Sequence, residues 1–595
     1  MIAALSKGRA LKILLSICFL LIAVALLLID RHSPATGYEL SMYESLPVAV
    51  WICLIAALAM GTGVVVHQAF TGRKSKYWLL AFCVLLTVNS TILLLPVFRG
   101  YLMYSAADTV AHLGWTDEIL RDRHTGQINR YPMQHILMAQ LAHVSGAPVE
   151  PILQFIPVLF TFVFTFFSYL LASAVLPKKG QALLVAAAVA LLFNYYHVSA
   201  YAQGLSVMLL PLVFYLYFKA RGDTSVSPRA AFVIVLFLFT YSHPAPAAVL
   251  IICLAAAEAA KALWRARMRA SLSPDSEALE RVSLEPTLIC TVAFLTWISS
   301  YALFKSTIYK LWGWLGGEIR SIPHVEVIEQ MLTAEGLGIE QQVELGLKMY
   351  GDNLIFLSLS GIALAIVVWR FLRCQVEVKN VFTLSMPFLI SGPAWVLIFT
   401  ATVAVTVGRL LGSNIMMWAT PVLASFALWE LFWRWKRVGV IVVTSILFCA
   451  SVVGVFGVYH SPYILQASWH VTRQDVNGSR WFAGHTDLRA PKQFASLGVS
   501  IGFGGVGRFS IPEHFGHPEE RTLGSVLGPG ANVLVAQRFR SGSAHPTLSK
   551  ATVSPFSVFR SGFSTADFQR LERDPTVNRL YSNGELDVLR VRGGR

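Results

Sequence analysis

Between residues 104 and 135 the chain gathers groups able to move protons or grip a polar ligand. The stretch contains Asp108, His112, Trp115, Asp117 and Glu118, then Arg121, Asp122, Arg123 and His124, then Tyr131-Pro132 followed by His135. At about 100° per residue, Asp108, His112, Trp115 and Asp122 fall near one face of a helix, with Asp117 facing away. A carboxylate can act as a general base and an imidazole can carry or orient a proton. An indole offers a flat surface to a sugar ring. The plain alternative is an amphipathic helix at a membrane interface with a solvated polar face. A divalent cation such as Mg or Mn could sit on Asp108, Asp117 or Glu118 with outer oxygens, although no ligand spacing requires it.

Two further groups stand at the edges of apolar blocks. Arg409 follows the apolar run from Val381 to Gly408. Charges at membrane depth are functional by default, the alternative being a side chain that snorkels to the interface. His243 lies between two apolar blocks, in Tyr241-Ser242-His243-Pro244, where it could contact a phosphate or a metal or simply cap and pack. Asn194, Tyr195 and His197 have the same standing. The segment 305–352 carries Trp312, Trp314, Glu318, Arg320, His324, Glu326 and Glu329, which suit a sugar groove or an interfacial aromatic belt.

The elements that must position these groups are apolar helices. Of the 595 residues, 55% are hydrophobic and only 14% charged, against about 25% charged in an average soluble domain. A crossing helix needs about 20 mostly apolar residues. Candidates are 11–29, 47–69, 78–98, 151–176, 181–196, 204–219, 229–242, 244–264, 286–304, 353–373, 381–406, 413–432 and 438–459, about thirteen in all. The stretch 229–242 is short enough to be re-entrant. The first block follows Lys7 and Arg9, is too long for a signal-peptide core and lacks a clear cleavage site, so it reads as a retained helix.

The formal charge of +15 sits in short clusters between these blocks, such as Arg73/Lys74/Lys76, Lys178/Lys179, Lys261/Arg265/Arg267 and Arg434/Lys436/Arg437. All fall on one side if every block crosses, and the positive-inside rule makes that side cytoplasmic, with the N-terminus there too. No basic stripe interleaved with aromatics appears, so nucleic acid is not an expected partner. The seven cysteines all precede residue 450, six of them inside apolar blocks, which excludes a disulfide framework in the tail. The outer side receives 30–46, the loops 99–150 and 305–352, and the tail from 461. Building out one face suits a surface enzyme better than a carrier.

The tail reads as a small β-rich or α+β domain. It has short apolar runs such as Val533–Ala536 and Leu586–Val591, and an Asn583-Gly584 turn ahead of a strand. Asn477-Gly478-Ser479 is a glycosylation sequon. Gly502, Gly504, Gly505 and Gly507 form a glycine pattern that reads as a turn-rich loop and not a phosphate cradle.

The run Ala107-Asp108, His112, an interfacial helix, and then Tyr131-Pro132 and His135 opening a second short helix resembles the first outer loop of the C-type (GT-C) membrane glycosyltransferases. That superfamily includes dolichyl-phosphate-mannose protein mannosyltransferases and oligosaccharyltransferases. The resemblance covers about 78–460 and implies a polytopic helical membrane fold with an outward-facing C-terminal soluble domain. The organisation would be an N-terminal hairpin in 1–70, a core in 71–460 and a soluble domain in 461–595. It implies a plasma-membrane enzyme that moves a hexose or pentose from a polyprenyl-phosphate donor, reached from the bilayer, to a glycan, glycolipid or protein.

Carried over to this sequence, Asp108 takes the catalytic acidic position with His112 beside it. Arg409 and His243 would meet the donor phosphate, and Trp115, Asp117, Glu118, Tyr131 and His135 would bind substrate. The tail has no paired Trp-Asp acceptor motif, Trp481-Phe482 being nearest, which argues against transfer of a whole oligosaccharide to asparagine. The rivals are a transporter or flippase for lipid-linked sugars and a non-catalytic surface-assembly protein. Ion-coupled transport calls for charges in mid-helix, and the sequence offers Glu258 and Glu430 near cytoplasmic ends and Arg409 near an outer one.

Overall fold

The computed structural model describes residues 8–72, 75–104, 108–125, 131–192, 197–222, 225–268, 283–316, 339–402, 416–485, 494–497, 530, 532–545, 548 and 565–592. Three helices come first: α1 (Gly8–Asp30), α2 (Val48–Thr71) and α3 (Tyr77–Leu93). A two-residue strand β1 (Met103–Tyr104) then leads to two helices of the first large loop, α4 (Asp108–Asp122) and α5 (Met133–Ser145). The next helices are α6 (Val149–Val175), α7 (Lys179–Ala190), α8 (Ala202–Gly222), α9 (Val226–Thr240), α10 (Pro244–Met268) and α11 (Glu285–Ile298). They are followed by α12 (Ala302–Leu315), α13 (Ile339–Leu372), α14 (Lys379–Thr402), α15 (Thr420–Phe432) and α16 (Lys436–Gly457). Every apolar block read from the sequence contains a helix.

Among the described residues, eight stretches are long and apolar enough to cross a membrane: α1, α2, α6, α8, α10, α13, α14 and the α15–α16 pair. The apolar helices α3, α7, α9 and α11 are shorter, at 17, 12, 15 and 14 residues. The last of the eight stretches is a hairpin. Its turn, Trp433–Trp435, leads to Lys436 at φ 41, and Gly439 then lies against Phe70 near one end of α2. At the other end of α16, the Val455 carbonyl accepts a 2.6 Å hydrogen bond from the hydroxyl of Tyr43, which precedes α2.

Helices that are apolar all round belong in lipid or in a large core. In α1, Leu11, Leu15, Cys18, Ile22, Ala25 and Ile29 form the buried stripe, while Ile13, Leu20 and Leu27 face outward. Pro157, Pro211, Pro387 and Pro393 lie inside helices, as packed membrane helices tolerate.

The two ends of the bundle differ in chemistry. One end holds the basic clusters around two buried or half-buried acids. Glu258 pairs with Arg221 at 2.7 Å and Lys261 at 3.1 Å, and Glu430 pairs with Arg370. At the other end, Arg99 pairs with Glu39, which also accepts from the Tyr101 hydroxyl. There β1 pairs antiparallel with β2 (His470–Val471), Met103 opposite Val471 and Tyr104 opposite His470.

From β2 the chain enters helix α17 (Arg473–His485) and a four-stranded sheet. The sheet contains β3 (Phe494–Leu497) and β4 (Asn532–Ala536), and, after helices α18 (Gln537–Ala544) and α19 (Thr565–Arg573), β5 (Val577–Ser582) and β6 (Leu586–Val591). The strand order is β3-β4-β6-β5, with β3 parallel to β4 and the other pairs antiparallel. Gly584, at φ 88, makes the β5–β6 turn, and the Asn583 side-chain oxygen accepts from the Glu585 and Leu586 amides.

Candidate functional site

The site is built where two interruptions of helical structure meet the helices of the first large loop. Twelve-residue α7 is only about 18 Å long, well short of a bilayer core of about 30 Å. After it, residues 197–201 run in irregular backbone with Ser199 and Ala200 buried. Fifteen-residue α9 also stops short and turns through Tyr241–His243 into α10. Irregular backbone within an apolar bundle persists where protein covers it or where it lines a cavity. The loop helices α4 and α5 provide the cover: Gln134, in the first turn of α5, donates Nε2–H to the Ala200 carbonyl at 2.5 Å.

Imidazoles and aromatic rings fill the junction. His112 on α4 and His135 on α5 are buried and touch through Nδ1 and Nε2 at 2.7 Å. One nitrogen donates and the other accepts, so the pair shares a proton position between the two helices. Trp115 stands edge-on to His112 at 5.6 Å, to His135 at 5.2 Å and to Tyr131 at 6.4 Å. Tyr131 packs on His243 at 4.9 Å, and Tyr201 stands edge-on to His112 at 6.3 Å. The rings thus join α4, α5, the start of α8 and the α9–α10 turn.

Electrostatics set the protonation states. Burial, and secondarily the neighbouring His112, pushes His135 down to about 2 and His243 down to about 3. Both are neutral imidazoles at neutral pH, offering one donor and one acceptor each and no positive charge.

Not all of the polar loop converges. On α4 the buried positions are Thr109, His112, Leu113, Gly114 and Thr116, with Trp115 and Glu118 half-buried. Asp117 faces outward, as the helical spacing requires. Partial burial and Glu150 raise its pKa, while Arg480 on α17 and Arg121 oppose the rise, which sets α17 beside the first loop. Asp122 corrects the sequence reading. It does not share the His112 face but lies at the exposed end of α4, paired with Arg121 at 2.9 Å. The reason is that the buried face runs through Thr109, His112 and Thr116, a spacing that carries Asp122 off it.

Asp108 is the first residue of α4, but its side chain lies outside the described residues. Also outside them are Arg409, Asn194, Tyr195, the segment from Glu318 to Glu329 and the glycine pattern 502–507. Among the described residues no three His, Cys, Asp or Glu side chains converge as a cation site. Of the three carboxylates considered for Mg or Mn, Asp117 is exposed and Glu118 half-buried, while the side chain of Asp108 lies outside the described residues.

Three buried groups escaped the sequence reading. Gln134, Ser199 and Thr109 each bury a side-chain oxygen that has no hydrogen-bond partner among the described residues. A fourth, Asp352, is 2% exposed within α13 and has one carboxylate oxygen in the same condition. No local pattern marks them; only the tertiary packing does.

Many apolar helices, with a polar site at one end of the bundle, define a multi-pass membrane protein. No protein-family model and no curated protein matches the sequence. In fold the chain is similar to the oligosaccharyltransferase of Archaeoglobus fulgidus in its apo form, with TM-score 0.47, 12% identity and coverage of 75% of this chain and 62% of that one. The same archaeal enzyme, AglB, in complex with an inhibitory peptide and a dolichol-phosphate, gives TM-score 0.45 at 12% identity and the same coverage. ArnT from Cupriavidus metallidurans bound to undecaprenyl phosphate gives TM-score 0.41 at 11% identity, covering 88% of this chain and 100% of that one. The chain thus spans 62% of the length of the oligosaccharyltransferases it matches.

Proposed function

We propose that the protein is a membrane glycosyltransferase of the C-type class. It takes a hexose or pentose from a polyprenyl-phosphate donor and passes it to a glycan, glycolipid or protein on the outer face of the plasma membrane. In this reading the basic end of the bundle is cytoplasmic, and the sheet-bearing tail from 461 is a soluble domain outside. The observation that carries the reading is the His112–His135 contact, which joins α4 to α5 beside the irregular backbone at 199–201 and the Tyr241–His243 turn. In this reading the junction lies at the level where a lipid-borne sugar must be met.

The chemistry follows. Asp108 accepts the proton of the acceptor hydroxyl, the hydroxyl oxygen bonds to the anomeric carbon, and the bond from that carbon to the phosphate oxygen breaks. The polyprenyl phosphate leaves with the bonding electrons. His112, one turn after Asp108, orients the acceptor and is held in turn by His135. The leaving phosphate gathers charge that must be met in advance. Arg409 supplies the cation and neutral His243 an N–H donor. Trp115 and Tyr131 present ring faces and edges to the sugar, and Asp117, Glu118 and His135 bind polar groups of the substrates.

The test is sugar transfer in isolated membranes from radiolabelled polyprenyl-phosphate sugars. Asp108→Asn, at matched expression, is expected to lose transfer by a factor of about 10² or more. Transfer at the wild-type rate would remove Asp108 from its role.

One observation favours a second reading, transport of lipid-linked sugars: Asp352 is a buried acid within an apolar helix, where ion-coupled carriers keep such groups.

A further inference from the structure

The orphaned oxygens around the histidine pair share one chemistry. Gln134 is 7% exposed, and its amide orientation is fixed, since Nε2–H is spent on the Ala200 carbonyl at 2.5 Å. Turning the amide over would set two oxygens against each other at that distance. Its Oε1 is therefore a committed acceptor, buried, with no donor among the described residues. Ser199, 1% exposed, precedes the carbonyl that anchors Gln134, and its hydroxyl is also without a partner. Thr109, 1% exposed, lies one turn before His112 on the buried face of α4, with its hydroxyl in the same condition. Leaving a buried polar group unpaired is costly, so such groups belong with a ligand or water that completes them.

Three committed or rotatable oxygens, beside a His135 ring whose charged form burial disfavours, suit a ligand rich in hydroxyl groups. A phosphate or carboxylate brings acceptors only and would meet Gln134 Oε1 with repulsion. We propose that Gln134, with Ser199 and Thr109, forms a sugar-hydroxyl subsite in which Gln134 Oε1 accepts a hydrogen bond from one hydroxyl of a substrate sugar and so sets sugar specificity. This rests on the glycosyltransferase reading above and deepens it. The hydroxyl can belong to the transferred sugar or to a glycan acceptor; the chemistry is the same and the experiment separates them.

The experiment uses the full chain in lipid nanodiscs with polyprenyl-phosphate mannose, glucose, galactose and arabinose, then with the monodeoxy analogues of whichever sugar is transferred. A site built to bond a hydroxyl rejects the analogue that lacks it. Wild type is expected to lose about 10- to 100-fold in kcat/KM at one hydroxyl position, and Gln134→Leu to lose that discrimination while using the matching deoxy sugar as well as wild type does. A shift confined to the donor KM assigns the hydroxyl to the transferred sugar, and a shift confined to the KM of a glycan acceptor, with its own deoxy series, assigns it to the acceptor.

Ser199→Ala keeps the Gln134 anchor and is expected to show a weaker loss of the same kind. The wild-type deoxy series stands alone if Gln134→Leu does not fold. Transfer that is equally fast with every deoxy sugar, or discrimination unchanged in Gln134→Leu, overturns the subsite and leaves the enzyme reading intact, with water as the partner of Oε1. Failure of wild type to transfer any sugar or to bind glycosylated polyprenyl phosphate more tightly than polyprenyl phosphate overturns both.

Discussion

His470 should make the attachment of the C-terminal segment acid-sensitive. Its ring lies between Tyr38, at 4.7 Å and 11°, and Tyr101, at 4.0 Å and 12°. Its Nε2 accepts from the Glu39 amide at 3.2 Å, leaving Nδ1–H for the Ser468 hydroxyl at 3.3 Å. Burial pushes the imidazole down from 6.5 to about 4, against the pull of Glu39. The sign follows from linkage. Below pH 6.5 the unfolded chain takes up a proton that the folded chain refuses until about pH 4, so stability falls as the pH falls through that window. At about 1.4 kcal/mol per pH unit, one such histidine costs roughly 2 kcal/mol between pH 6.5 and pH 5. His135, His243 and His460, pushed down to about 2, 3 and 3, act in the same direction. The assay is thermal unfolding of the full chain in nanodiscs between pH 8 and pH 5, with limited proteolysis to report release of the C-terminal segment. Wild type should melt lower and be cut sooner at pH 5. His470→Gln, which accepts from the Glu39 amide but cannot be charged, should show a shallower pH dependence by about one proton. Equal pH slopes for variant and wild type would refute the reasoning.

At the basic end, Glu258 is the counter-charge of both Arg221 and Lys261 and accepts from the Tyr217 hydroxyl at 2.9 Å and the Ser283 amide at 3.1 Å. Glu258→Leu should cost about 3–5 kcal/mol by stranding two cations, and adding Lys261→Met should recover part of it, both read by thermal unfolding in nanodiscs. Asp352→Asn keeps the shape of the side chain while removing its ability to carry a proton. Under the enzyme reading it should leave transfer within about threefold of wild type and insensitive to a proton uncoupler; coupler-dependent uptake lost in this variant would establish transport instead.

The sequence made the helices legible because each apolar block is nearly long enough to announce itself, whatever packs against it. The two loop helices are expected from the resemblance carried by Asp108, His112, Tyr131-Pro132 and His135, and the structure has a helix at each place. What it hid is depth. The block 181–196 reads as an ordinary crossing run and only 229–242 looks short, yet both contain short helices, of 12 and 15 residues, and Ala200 and His243 follow them in non-helical backbone. Gln134 lies inside the very segment singled out from Tyr131 to His135, but an amide in a polar loop looks like surface until a carbonyl 66 residues away fixes it. The Arg99–Glu39 pair and the Tyr38–His470–Tyr101 stack join parts of the chain separated by hundreds of residues, which no local period can carry. Asp352 sits just before the apolar block 353–373 and is not singled out from the sequence; packing against its neighbours buries it.

The neutral state of the histidines decides how labour divides within the site. Had His135 and His243 kept ordinary pKa values, either could serve as a cation for a departing phosphate near pH 6. Burial removes that option, since it disfavours the charged form of both rings. The leaving-group charge therefore falls to Arg409 in the proposed mechanism and proton removal to Asp108, while the described junction of His112, His135, Trp115, Tyr131 and Gln134 is left with uncharged tasks. Uncharged donors, acceptors and ring edges discriminate hydroxyl patterns better than they stabilise ions. Under the proposed mechanism this junction selects the sugar while Asp108 and Arg409 carry the charges of transfer, so variants of the histidine pair should alter which sugar is used before they abolish use of all of them.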